Sequence, residues 1–131
     1  MAIFSNMNIT YAGQLLYNKV QAGAPLKFTK MGVGSGSIPA NQDLQALANL
    51  INYKYSVPIS SIKQNTGAKT AMILGTIDNS AITGNDGVYI CELGLFANDP
   101  DNGEILYAYA NAGTQGDFYA PANRGAFSWS Y

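Results

Sequence analysis

The apolar positions of this chain change their period along its length. Between Thr10 and Gly23 they fall at helical spacing: Ala12, Leu15, Leu16 and Val20, with the Lys19 stem on the same face. Thr10 is suited to cap this helix, Gly23 to stop it and Pro25 to keep it from resuming. LKFTKMGV (26–33) then reads as a strand and GSGSIPANQ (34–42) as a loop. Leu44, Leu47, Ala48 and Ile51 recur at i, i+3, i+4 and i+7, which predicts a short second helix with Asp43 in its first turn.

Downstream the period becomes two. Tyr53, Tyr55, Val57 and Ile59 alternate with Lys54, Ser56, Pro58 and Ser60. Pro58 cannot donate to a ladder, so this strand belongs at an edge or carries a bulge there. A turn at Asn65-Thr66-Gly67 leads into AKTAMILGTID (68–78), another strand. A loop with Gly84, Asn85, Asp86 and Gly87 precedes two strands, VYICELGLF (88–96) and EILYAYA (104–110), joined by ANDPDNG. GAFSWSY (125–131) alternates again and puts Phe127, Trp129 and Tyr131 on one side. Two helices ahead of a run of hairpin-linked strands predict an α+β fold: an N-terminal helix and a short second helix packed on a mostly antiparallel sheet. The last connections are too short for parallel crossovers. The length fits one domain over 1–131, without internal repeat or linker.

Composition adds a statement about the surface. Only 11% of the residues are charged, against about 25% in ordinary domains. Asn, Gln, Ser, Thr and Tyr must cover this chain, and part of that surface is expected to lie against partners. The net charge of −1 comes with scattered cations and no basic block, which argues against nucleic acid, where a row of cations must neutralise phosphates. No apolar run approaches the roughly twenty residues of a membrane span. The first residues, MAIFSNMNIT, lack the charged start and apolar stretch of a secretory signal. Cys91 stands alone, forms no intrachain disulfide and lies in an apolar pattern, where a thiol packs as a small hydrophobe.

The candidate chemistry is thin. The chain has no histidine, so it lacks the usual general base, the commonest metal ligand and both Ser–His–Asp and Cys–His arrangements. Zinc sites built from His and Cys are impossible within one chain. Gly32, Gly34 and Gly36 follow a strand as a phosphate-binding loop would, but Ile38-Pro39 stand where a helix must open, so the segment reads as a strand exit. The acids of NDPDNGE do not make a calcium loop: counting from Asp99, Glu104 takes the glycine position and Ala110 the closing glutamate. Asp-Pro and Asn-Gly are turn residues. No catalytic residue, cofactor or metal is therefore assigned, and the chain is read as a non-enzyme. Glu92 lies within an apolar run with no evident second acid or base. It reads as a structural carboxylate bound to backbone N–H groups or to a Lys or Arg of this or a neighbouring chain. The nine Tyr and one Trp suit either sugar stacking or a protein interface. The strand alternation of Tyr53, Tyr55, Tyr107 and Tyr109 favours the interface.

The string YICELGLFANDPDNGEILYAYANAG (89–113) resembles the N-terminal domain of phage tail fibre proteins, the tail-collar fibre domain. Glu92, Gly94, Leu95, Phe96, Asp99, Pro100, Gly103, Glu104, Ile105, Leu106, Tyr107 and Tyr109 match its most recognisable segment; Cys91 stands where that family commonly has Arg and Leu93 where it has Ile. ITYAGQLLYNKVQAG is similar to the family's opening helix, LKFTKMGVGSG to its first strand and exit, and VPISSIKQN to a further strand.

The resemblance implies a structural component that attaches a tail fibre to the baseplate of a phage or a phage-tail-like bacteriocin. Its partners would be baseplate proteins, two further copies in a homotrimer, and a distal fibre or receptor-binding protein. Its place would be the virion tail, after synthesis in the host cytoplasm, without membrane insertion. The chain would be the attachment part of a longer fibre or a short member of the family. The alternative is a self-standing carbohydrate-binding module for host-surface adhesion. In the attachment reading the expected interface residues are Ile3, Phe4 and Met7 toward the baseplate, with the first helix. Phe127, Trp129 and Tyr131 would face the fibre axis, and Phe4 and Trp129 would be the aromatic anchors.

Overall fold

The computed structural model describes residues 7–65, 70–82, 87–121, 123, 125 and 127–130. In chain order these form β1 (Asn8–Ile9), α1 (Tyr11–Gln21), β2 (Phe28–Gly34), β3 (Tyr53–Val57), β4 (Ile59–Asn65), β5 (Thr70–Asp78), β6 (Val88–Ile90), β7 (Glu92–Asp99), β8 (Gly103–Asn111), β9 (Asp117–Tyr119) and β10 (Ser128–Ser130). Short 3-10 turns fall at Leu44–Ala46, Asn79–Ala81 and Gly113–Gln115. Three sheets result: five strands in the order β1-β8-β7-β2-β3, three in the order β10-β5-β4, and the pair β6-β9. Every ladder among the described residues is antiparallel.

This overturns the expected α+β arrangement of two helices on a sheet. The chain is mostly β, 47% strand and 19% helical, with one α-helix and three sheets. The second helix is the error. Only Leu44–Ala46 turn, as one 3-10 turn capped by the Asp43 carboxylate on the Gln45 N–H, and Leu47 is already extended. A helix through residue 52 needs the N–H groups of Ile51 and Asn52 for the carbonyls four residues back. Both instead donate to the Glu92 carboxylate of β7, and the Asn49 side chain takes the Leu50 N–H. A distant acid outbids the local helix.

The first helix forms as its caps dictate. Thr10 Oγ1 accepts from the Gly13 N–H at 3.0 Å, and Gly23 with positive φ ends the helix while the Ala24 N–H returns to the Lys19 carbonyl. The inward face differs from the periodic reading. Gly13 and Leu16 are buried, and Leu15 is 61% exposed.

The remaining strands depart from their predicted spans where the chain changes sheets. Residues 53–59 do not make one strand: β3 closes the edge of the five-stranded sheet, Pro58 interrupts, and β4 pairs with β5. VYICELGLF is likewise two strands, broken at Cys91, with β6 pairing to β9 and β7 to β8 and β2. Strand β7 is buried almost throughout. Its Leu93, Leu95 and Ala97 join the main core with Leu16, Val33, Val57, Ile77 and Tyr119. Its Phe96 joins a smaller cluster with Leu50, Leu106 and Tyr109, roofed by Leu44 and Leu47. The excursion 35–52 thus covers the second face of the five-stranded sheet, and a strand covered on both faces reads as a continuous apolar run.

Candidate docking surface and the Glu92 cradle

Glu92 opens β7 on the face turned toward that excursion and is fully buried. Its Oε1 accepts from the N–H of Gly36 at 2.6 Å and of Asn52 at 2.9 Å. Its Oε2 accepts from the Ile51 N–H at 2.8 Å and the Tyr109 hydroxyl at 2.5 Å. Asn111 Nδ2 steadies the ring of partners, donating to the Gly36 carbonyl at 3.1 Å and the Tyr109 oxygen at 3.0 Å. The glycines of the strand exit make this approach possible. A Cβ at Gly36 would lie 2.5 Å from Oε1 and 2.6 Å from Ile51 Cβ; one at Gly34 would lie 2.7 Å from Oε1 and 2.5 Å from the Asn52 carbonyl oxygen. Gly34 and Gly36 therefore serve a carboxylate rather than a phosphate.

With four donors in place, both oxygens of Glu92 are occupied by the protein itself. Burial, then the hydrogen bond to Glu92, pushes the Tyr109 phenol well above its usual range, so it remains a donor. Burial, then the Glu92 charge, also pushes the Cys91 thiol up; its Sγ donates to the Gly36 carbonyl at 3.2 Å. A protonated, enclosed thiol is a poor nucleophile. Neither the Tyr and Asn partners nor the Gly36 role was visible in the sequence, because they converge from β8 and the excursion.

The other residues of the 89–109 segment are fasteners too. Asp99 is buried and receives Lys19 Nζ at 2.8 and 3.0 Å, while its Oδ1 accepts from the Asp101 N–H. Lys19 also reaches Asp101 at 2.9 Å. The Lys19 charge is thus held by the β7–β8 turn rather than left in water. Pro100 begins that turn and Gly103 ends it with φ of 77°. Gly94 leaves no room for a side chain between Leu50 and Leu106. Tyr107 meets Phe28 edge to face at 5.4 Å.

Away from these buried groups, one surface stands out by chemistry. Met7, Ile9, Tyr11, Leu15 and Tyr17 are all at least 39% exposed, and residues 7–18 carry no charged side chain. Tyr11, Leu15 and Tyr17 belong to α1 and Ile9 to β1, the terminal strand of the five-stranded sheet, which Met7 directly precedes; Leu15 and Tyr17 leave the helix about 200° apart. Ile9, Gln14, Tyr17 and Asn18 line a groove of about 220 Å³ there. The acid that meets this face, Asp43, is engaged by the Tyr11 hydroxyl at 2.7 Å.

The expected interface residues separate. Met7 lies on this face and is exposed, and Phe127 is exposed near the other end of the chain. Trp129 is not a free anchor: it stacks on buried Tyr119 with ring centroids 4.0 Å apart and packs against the main core. Ile3, Phe4 and Tyr131 lie outside the described residues. The sequence reading also missed Tyr89 and Phe118, opposite each other on β6 and β9 and both exposed.

No family model, curated protein or solved structure matches this chain. Among the described residues no helix is long and apolar enough to cross a membrane, and no group of three His, Cys, Asp or Glu side chains is placed to hold a metal ion.

Proposed function

We propose that this chain is a structural attachment domain, fastening a fibre to the tail baseplate of a phage or phage-tail-like particle through the face made by β1 and α1. The observation that carries this reading is the exposed apolar and aromatic side chains of residues 7–17. Leu15 lies on a well-capped helix and points outward one turn from exposed Tyr11, and exposed Met7, Ile9 and Tyr17 belong to the same N-terminal segment. Grouped apolar side chains on a surface mark interaction sites, and aromatic and aliphatic anchors supply most interface energy. The resemblance of residues 89–113 to tail fibre attachment domains supplies the kind of partner. In this reading the buried acids Glu92 and Asp99 stiffen the body: one ties down the excursion, the other ties α1 to the β7–β8 turn. The test is binding of the purified chain to fibre-free tail particles. Leu15→Ser should abolish binding while leaving the melting temperature unchanged, because the residue contributes little to the core. Undiminished binding by the folded Leu15→Ser chain would refute this face.

The carbohydrate reading has one observation of its own. Gln14 and Asn18, one helical turn apart, flank Tyr17 in the groove, and amides beside an aromatic ring suit a neutral sugar. A glycan array separates the two: the attachment domain ignores it, and a carbohydrate module lights particular spots that Tyr17→Ala erases.

A further inference from the structure

Asn102-Gly103 is the sole Asn-Gly pair in the chain, and we infer that it is a site of spontaneous deamidation built into the β7–β8 turn. The step needs an accessible side-chain amide, a following residue without a side chain, and freedom for the amide carbon to approach the next backbone nitrogen. Asn102 and Gly103 are both exposed. Nothing lies within 4 Å of where a Gly103 Cβ would stand. Among the described residues the Asn102 side chain has no hydrogen-bond partner, whereas Asn49, Asn52, Asn79 and Asn111 all spend their amides on neighbours. Asn8, Asn18, Asn41 and Asn98 are followed by Ile, Lys, Gln and Asp, whose side chains screen the attack.

The chemistry balances with water alone. The Gly103 nitrogen attacks Asn102 Cγ, the new C–N bond closes a five-membered imide, and the side-chain nitrogen leaves as ammonia with the proton of the Gly103 N–H. Water then opens the ring. Attack at Cγ gives aspartate, and attack at the former main-chain carbonyl gives isoaspartate, with one extra methylene in the backbone. Either product adds a negative charge beside Asp99 and Asp101, which already share Lys19. Isoaspartate also lengthens a connection of only Pro100, Asp101 and Asn102 between the paired residues Asp99 and Gly103. The pairing register of the turn cannot survive that unchanged, and the Lys19 clasp on α1 is set by that turn.

The folded chain, aged at mildly alkaline pH and warm temperature, tests this. Peptide mass mapping should find exchange of NH2 for OH concentrated at Asn102, and protein isoaspartyl methyltransferase should label the same peptide. Asn102→Gln, which must close a larger ring, should abolish the labelling while folding normally. Gly103→Ala should slow it by an order of magnitude, or, if the turn is disturbed, still leave Asn102→Gln as the decisive variant. If Asn102 stays intact while a free peptide of residues 98–106 deamidates fully, or if another asparagine reacts first, the inference is overturned.

Discussion

Glu92→Gln keeps the side chain's shape and removes its charge, so it isolates what the carboxylate does. The two oxygens face two donors each: Gly36 and Asn52 N–H on one side, Ile51 N–H and Tyr109 hydroxyl on the other. An amide can offer only one oxygen. Its better orientation turns the NH2 toward Tyr109, whose hydroxyl can rotate to accept, and leaves the Ile51 N–H facing another donor. One stranded backbone donor costs about 1–3 kcal/mol, and bonds that lose a charged acceptor weaken from roughly 1.5–3 toward about 1 kcal/mol each. Ile51 and Asn52 lie near the surface, where water recovers part of that loss. The expected cost is about 3 kcal/mol, a fall in melting temperature on the order of 10 °C for a domain of this size. The assay is urea unfolding of the purified chain, paired with a cycle using Tyr109→Phe. Because Tyr109 and Ile51 share Oε2, the two substitutions should couple by about 1 kcal/mol. Glu104→Gln is the control. Its acid is 42% exposed with Lys30 at 3.3 Å, so its removal should cost no more than about 0.5 kcal/mol. If Glu92→Gln costs no more than that control, the cradle does not hold the excursion.

Three further outcomes follow from the same geometry. Gly36→Ala should lose about 1–3 kcal/mol, since its methyl enters the space of the Glu92 carboxylate; a neutral result by thermal denaturation would show that the excursion shifts freely. Trp129→Ala should cost about 3 kcal/mol through its stack on Tyr119, so a wild-type melting temperature would show that the ring is dispensable to the fold. Stability should also depend on pH through Asp99. Its hydrogen bonds from Lys19, then from the Asp101 N–H, hold its carboxyl below the usual carboxylate range. That contribution is present above the ordinary value and disappears as pH falls through the lowered one. Lys19 mirrors it, raised by Asp99 and then Asp101, with its contribution disappearing as pH rises through the raised value. Asp99→Asn should flatten the acid limb of a stability–pH curve and shrink the alkaline one, where Asp101 still holds Lys19, and an unchanged acid limb would exclude the clasp.

Locally determined elements were legible in the sequence. Thr10, Gly23 and the spacing between them define α1 within a few residues, and the turn at Asp99–Gly103 follows from Asp-Pro and Asn-Gly chemistry. Elements decided at a distance were not. The pattern of Leu44, Leu47 and Ile51 is a sound helix pattern, undone by an acid about forty residues on. The break at Cys91 hides within an apolar run, because the residues before and after it are buried in different sheets. Leu15 fits the helical period as well as Leu16 does; period alone cannot separate a residue packed on the core from one left exposed. Glu92 was recognisable as an acid in the wrong place, and its sequence neighbours name none of its donors.

The proposal that this chain docks on a tail baseplate through β1 and α1 is tested most directly by a photo-crosslinking amino acid placed at Leu15, with the chain incubated with fibre-free tail particles. The account predicts one dominant adduct, to a baseplate protein, identified by mass spectrometry and absent when the probe is moved to exposed Glu104 on β8. A Leu15 adduct only to other copies of this chain, or to host-surface material with none to the baseplate, would contradict it.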